Sequence, residues 1–301
     1  MTRDDAYVRA CAVMGTIVSV QVVGHGTSQR ARRERQHAVE RALGWCTHVE
    51  AVCTRFDANS ELRRLSTRVG DGVAVSDLLF EAVQFALAVA DASDGAFDPT
   101  VGHRLEARGF DREHRTGNVA RSGINAADDV SYRDVTLDAN ARTITLHRPL
   151  LLDLGAVAKG LAIDMAAREL APFADFAIDA GGDLFLGGHN AHGTAWSVGV
   201  RNPHDTMQLL DTVHVTDTAV CTSGNYERPG HMVHPRHSDV STMLASVTVI
   251  APSAMVADAM STAAFVLGPT AGTAFLERHH VSGLLVTSDR KRVTTRAWPN
   301  D

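Results

Sequence analysis

An apolar run, a glycine-punctuated turn and a periodic helix follow one another without interruption between residues 149 and 170. Residues 149–152 read as a strand. Residues 161–170 carry the spacing of a helix with one apolar face. Between them lies Asp153-Leu154-Gly155-Ala156-Val157-Ala158-Lys159-Gly160. The first N–H groups of a helix have no internal partners and the helix dipole favours negative charge there, so this order creates a site for an anion. Small residues at Gly155, Ala156, Ala158 and Gly160 let a ligand approach the backbone. Lys159 is one of two lysines in the chain, the other being Lys291. Its compact ammonium stands out where nearly every other cation is arginine. The plainer alternative is an ordinary turn with a capping Asp153 and a surface lysine, and the glycine spacing is not that of a Walker or Rossmann loop.

The chain's 301 residues suffice for one large or two small domains with a full core. A net charge of -6 argues against a general nucleic-acid surface. The arginine cluster at Arg30, Arg32, Arg33 and Arg35 is interrupted by Glu34 and reads as the solvated face of a helix. Cys11, Cys46, Cys53 and Cys221 form no C-x-x-C pair, so they read as buried thiols in a reducing compartment. No signal-peptide core is evident, and no membrane span is expected. A cytoplasmic monomer or homodimer is the expectation.

Along the chain, residues 7–13 and 16–23 alternate as strands around Met14-Gly15. Residues 28–52 read as a long helix, 56–65 as a polar turn followed by a short helix that Asn59 or Ser60 can cap, and 76–92 as an amphipathic helix capped by Ser76 and Asp77. Residues 95–111 read as irregular, and 112–129 as a surface excursion. Residues 135–137 and 143–146 form a hairpin pattern. Short strands follow at 176–178, 184–186, 196–200, 209–215 and 245–250. A helix capped by Ser253 runs to residue 267, and Pro269 separates it from another at 270–279. Strands at 281–287 and 293–296 close the chain. Meanders mixed with helices in this order predict an α+β fold.

Three further stretches carry chemistry. Asp179-Ala180-Gly181-Gly182-Asp183 sets a double glycine between carboxylates, either a tight turn or a backbone approached by a ligand. Asp258 and Thr262, at i and i+4, put a carboxylate and a hydroxyl on one helix face. Such a pair is commonly solvated, yet a hard cation such as Mg²⁺ prefers oxygen ligands of this kind. In residues 95–102, Phe97 could stack on a flat ring and Asp98 could accept from ring nitrogens, or the loop could dock on the core.

Together these segments resemble the ApbE family, the FAD:protein FMN transferases. The matching stretches are Met14-Gly15-Thr16, Arg55-Phe56-Asp57-Ala58-Asn59-Ser60-Glu61-Leu62, residues 95–102, residues 153–160 and residues 179–183. Thr222-Ser223-Gly224-Asn225-Tyr226 and residues 246–268 complete the set, in family order. The resemblance implies one domain over residues 7–297, of mixed sheets packed with helices, with two lobes and the flavin between them as one arrangement. It implies FAD as substrate, Mg²⁺, and transfer of FMN through its phosphate to a Thr or Ser of an acceptor flavoprotein, releasing AMP. By position it assigns flavin contacts to Met14, Phe56, Ala96, Phe97, Asp98, Asp153 and Lys159. It assigns the metal to the Ala156 carbonyl, Asp258 and Thr262.

The chain departs from the family at residues 231–238. The usual His-x-x-Asp-Pro-x-Thr-Gly is His231-Met232-Val233-His234-Pro235-Arg236-His237-Ser238 here. His231 is the candidate base for the acceptor hydroxyl. The spacing of His231, His234 and His237 also allows a transition-metal site, though Pro235 excludes a regular helix. Two alternatives therefore stand beside the transferase: an FAD pyrophosphatase giving FMN and AMP, and a flavin-binding protein with little catalysis.

Overall fold

The computed structural model describes residues 6–24, 26–113, 116–225, 230, 232–233, 235 and 243–299. Its frame is an eight-stranded sheet in the order β1-β2-β6-β7-β10-β11-β12-β13, with every pairing antiparallel. The strands are β1 (Ala6–Val13), β2 (Thr16–Val23), β6 (Phe176–Ala180), β7 (Asp183–Gly187), β10 (Thr218–Gly224), β11 (Leu244–Ala251), β12 (Ser282–Thr287) and β13 (Arg292–Thr294). A second sheet, β3-β5-β4, joins Gly72–Ala74, Thr143–Leu146 and Val135–Asp138. The hairpin of β8 (Trp196–Asn202) and β9 (Asp205–Val215) stands apart. The α+β expectation holds.

Period-two alternation gives the large sheet two apolar faces. On β10, Ala219 and Cys221 belong to the main core, whereas Val220 points to the other side. The main core joins that inner face to α1 (Gln29–Cys53), α3 (Asp77–Ala92), α5 (Gly155–Leu170) and α6 (Ala254–Arg278). On the outer face, Leu186, Val220, Leu284 and Val286 pack with Val200, Val213 and Val215 of the β8–β9 hairpin and with Trp298. Each fully buried Leu or Val contributes roughly 1.5–3 kcal/mol.

The caps are largely those the sequence announces. Ser28, Ser60, Ser76 and Ser253 each accept a backbone N–H at the start of α1, α2 (Glu61–Ser66), α3 and α6. Gly268, at φ 81°, kinks α6 just before Pro269, where two helices are expected. α6 is also long and apolar enough to cross a membrane by length and composition alone. Here it packs against α5, β10 and β11, with Phe265 and Phe275 fully buried.

Three expectations need correction. Residues 149–152 form no strand: Leu150, Leu151 and Leu152 are buried, but only an isolated bridge joins Leu151 to Val101. The helix expected from residue 161 begins at Gly155, so Lys159 lies inside α5. Its small residues serve helix packing. A Cβ on Gly160 would sit 2.4 Å from Met255 Cα and 2.5 Å from the Ala254 carbonyl oxygen, so glycine lets α5 and α6 touch backbone to backbone. That contact overrides the low helix propensity of glycine, about 1 kcal/mol against alanine. Finally, the stretch expected to be irregular contains α4 (Gly102–Ala107), and strand β10, which alternation does not reveal, lies inside the large sheet.

Candidate active site

Eight segments converge on a cavity of about 710 Å³, within the size range typical of small-molecule sites. Several are fixed by local devices. The β1–β2 connection has two residues, Met14 and Gly15, both at positive φ (57° and 70°), as a tight hairpin turn requires. The Met14 N–H donates to Glu50 Oε1 at 2.7 Å, tying the turn to the last part of α1. The β6–β7 turn uses Gly181 and Gly182 at φ 67° and 95°. A Cβ on Gly181 would lie 2.2 Å from Thr16 Oγ1, so the two turns meet only because glycine stands there.

The loop at 95–101 is held from within. Asp98 Oδ1 accepts from the Thr100 N–H and hydroxyl at 2.9 and 2.7 Å, and Oδ2 accepts from the Tyr132 N–H at 3.0 Å. Burial pushes this carboxyl above its ordinary range against the pull of those bonds. Asp153 accepts the Gly155 N–H at 2.8 Å at the start of α5 and pairs with Arg55. Arg55 is buried, donates to the Phe110 carbonyl at 2.7 Å, and lies over the Phe56 ring at 4.1 Å.

The helices and strands contribute a charge cluster. Lys159 of α5 forms an ion pair with Asp183 of β7. The other oxygen of Asp183 accepts the Thr222 N–H at 3.0 Å. Asp258 of α6 is 6% exposed, and its Oδ2 is buried without a hydrogen-bond partner. This corrects the expectation of a solvated helix face. Burial would lower the Lys159 ammonium, but Asp183 and Asp258 outweigh it and hold the group above its ordinary value. Burial pushes the Asp258 carboxyl up, offset in part by Lys159 and the Gly160 amide. Ser223 Oγ lies 2.7 Å from Ser261 Oγ and 3.0 Å from Thr262 Oγ1. α5 also sets the start of α6, because Asp164 accepts the Ala254 and Met255 N–H groups at 2.7 and 3.0 Å.

Every described residue to which the family resemblance assigns a flavin or metal contact lines this one cavity. Met14, Phe56, Ala96, Phe97 and Asp98 form one end; Asp153, Ala156, Lys159, Asp258 and Thr262 form the other. His231, His234 and His237 lie outside the described residues, so neither the base nor the alternative histidine metal site is located; the adjacent Met232 and Val233 line the cavity. Arg55, Asp183 and Ser223 were not singled out as site residues. The carboxylate flanking the double glycine was the available signal for Asp183, and the Arg-Phe pair for Arg55.

Among the described residues, no group of three or more His, Cys, Asp or Glu side chains is arranged to hold a metal ion. A hard cation here would need a different set: one carboxylate supplemented by carbonyl and hydroxyl oxygens. The unpartnered Asp258 Oδ2, with Thr262 one helical turn on and Ala156 on the facing helix, fits that chemistry.

This sequence and this fold have known counterparts. The ApbE family's sequence model matches residues 14–285. An FAD:protein FMN transferase of Treponema pallidum is 33% identical over 95% of this chain and 85% of its own length. One from Haemophilus influenzae is 26% identical, covering 93% and 86%. The crystal structure of the ApbE protein from Thermotoga maritima superposes with a TM-score of 0.84 at 27% identity, over 97% of both chains. The chain belongs to the ApbE family.

Proposed function

We propose that the protein is a Mg²⁺-dependent FAD:protein FMN transferase, attaching FMN through its phosphate to a Thr or Ser of an acceptor flavoprotein. The observation that carries this reading is the pairing, in one cavity, of Lys159, held by an ion pair with buried Asp183, and of buried Asp258 with an end walled by Met14, Phe56 and Phe97. The first suits a pyrophosphate and the second a flat ring. The names of the similar transferases in Treponema pallidum and Haemophilus influenzae support the same assignment.

In this reading the Lys159 ammonium and the α5 N-terminus face the FAD pyrophosphate. The acceptor hydroxyl oxygen bonds to the FMN phosphorus, the bridging P–O bond breaks, and AMP leaves with the bridging oxygen. His231 takes the hydroxyl proton. Asp258, Thr262 and the Ala156 carbonyl would hold Mg²⁺, which supplies positive charge against the phosphate oxygens. Phe56, Ala96, Phe97, Asp98 and Met14 orient the flavin, and the Arg55–Asp153 pair ties the segment after α1 to the start of α5.

The test is incubation with FAD, Mg²⁺ and a threonine-bearing acceptor flavoprotein. The expected result is flavin fluorescence that stays on the acceptor through a denaturing gel, with one AMP released per flavin attached. His231→Ala should lose most of this transfer, about 10²–10⁴-fold, while still binding FAD. FMN and AMP without covalent flavin would make hydrolysis the activity. FAD bound but intact would overturn the enzymatic reading.

A further inference from the structure

Two buried carboxylates face one ammonium in this site, and only one of them is paired with it. Asp183, 2% exposed, takes Lys159 in an ion pair; Asp258, 6% exposed, lines the same cavity as Lys159 and keeps an oxygen with no hydrogen-bond partner. A buried carboxylate oxygen without a partner is costly, and one remedy would be for Lys159 to turn to Asp258. Asp183 is itself rigidly placed. It opens β7 directly after Gly181 and Gly182, and its Oδ1 is fixed by the Thr222 N–H of β10 at 3.0 Å. Lys159 and Asp258 come from α5 and α6, whose contact at Gly160 holds them near each other.

The geometry points to Asp183 as a positioning residue: it anchors the Lys159 ammonium and so keeps Asp258 Oδ2 available for a divalent cation. This rests on the metal placement proposed above and goes beyond it by assigning the residue that keeps the site from being closed by the protein's own lysine. The role needs negative charge at position 183. Asparagine there would still offer an oxygen to the Thr222 N–H but would no longer compete for the ammonium.

The experiment is a double-mutant cycle read by Mn²⁺ binding, followed by electron paramagnetic resonance of free Mn²⁺ without FAD or turnover. Asp183→Asn should bind Mn²⁺ about 10–100-fold more weakly than the unsubstituted protein. Lys159→Met should then increase affinity by a larger factor in the Asp183→Asn background than in the unsubstituted one, because only there has the lysine moved onto Asp258. A uniform field effect would give equal factors in both backgrounds, and a purely structural role for Asp183 would leave the double variant as weak as Asp183→Asn; either result overturns the inference. Asp258→Asn separates this from the metal placement. If it binds Mn²⁺ normally, the placement itself falls, and the role of Asp183 with it. If it loses Mn²⁺ while Asp183→Asn binds normally, only the role of Asp183 falls. Thermal melts of each variant confirm that binding is compared between folded proteins.

Discussion

The two ends of the cavity are built from different material. The charged end draws on regular elements: Ala156 and Lys159 from α5, Asp258 and Thr262 from α6 and Ser223 from β10, with Asp183 of β7 behind them as the ion-pair partner of Lys159. The aromatic end draws on turns: Met14 between β1 and β2, Phe56 after α1, and residues 96–98 after α3. Helices and strands place the charges through packing that tolerates no added methyl, as at Gly160. The turns hold their shape through single hydrogen bonds, such as Phe97 N–H to Ser93 Oγ at 3.1 Å and the two oxygens of Asp98. Rigid elements suit chemistry that needs fixed distances, and loops suit recognition. Substitutions at the charged end should therefore change the rate, and those at the aromatic end the affinity for FAD.

The largest effect is expected at Asp258. Asp258→Asn should lower AMP release at saturating FAD by about 100-fold or more, with no recovery across a Mg²⁺ titration. Its melting temperature should stay the same or rise, because a buried carboxylate with one oxygen lacking a hydrogen-bond partner is replaced by a neutral amide of the same shape. Rate lost together with stability would make Asp258 a structural residue.

Next in size is the contact on which the charged end rests. Gly160→Ala drives a methyl into the backbone of α6 at Met255 and Ala254, a collision no side-chain rotation relieves. We expect a loss of about 1–3 kcal/mol in urea unfolding. The transfer rate should fall in the variant that remains folded, because Lys159 and Asp258 are forced apart. Normal stability would show that α5 and α6 can slide without harm. The separation of rate from affinity between the two ends would then need another cause.

The same division governs what could be read from the sequence. Caps, hairpin turns and the Pro269 break were legible because they rest on local chemistry: a serine before a helix, two residues at positive φ, a proline that cannot continue a helix. The start of α5 was not. Gly155, Ala156 and Gly160 read locally as a turn and become helical because α6 demands a close neighbour. β10 was missed for a related reason: Thr218–Gly224 has small and polar residues on both faces, and its place in the sheet is set by β7 and β11. Ordered family motifs brought ten cavity-lining residues together, but Asp258 read as a solvated face because burial by α5 is invisible at i, i+4 spacing. Asp183 reads locally as the flank of a turn, and its partner Lys159 as part of an anion site; nothing local links positions 24 residues apart.

The smallest effect, and the one that sharpens the contrast most, is expected at Phe56. Its ring lines the cavity, and the Arg55 guanidinium lies over it at 4.1 Å. Phe56→Leu keeps apolar volume but removes the π surface offered to a flavin. Stacking of this kind is worth about 0.5–1.5 kcal/mol beyond buried area, so FAD dissociation should rise by roughly two- to tenfold, read from flavin fluorescence quenching. Arg55 loses a cation–π partner but keeps Asp153 and the Phe110 carbonyl, so that tie should hold and the melting temperature should change little. With FAD saturating, AMP release should proceed at close to the unsubstituted rate, since the pyrophosphate still meets Lys159 and its neighbours unchanged. A Phe56→Leu variant that binds FAD normally yet turns over 100-fold more slowly would place the reacting phosphate at the aromatic end and reverse the orientation of the substrate in the cavity.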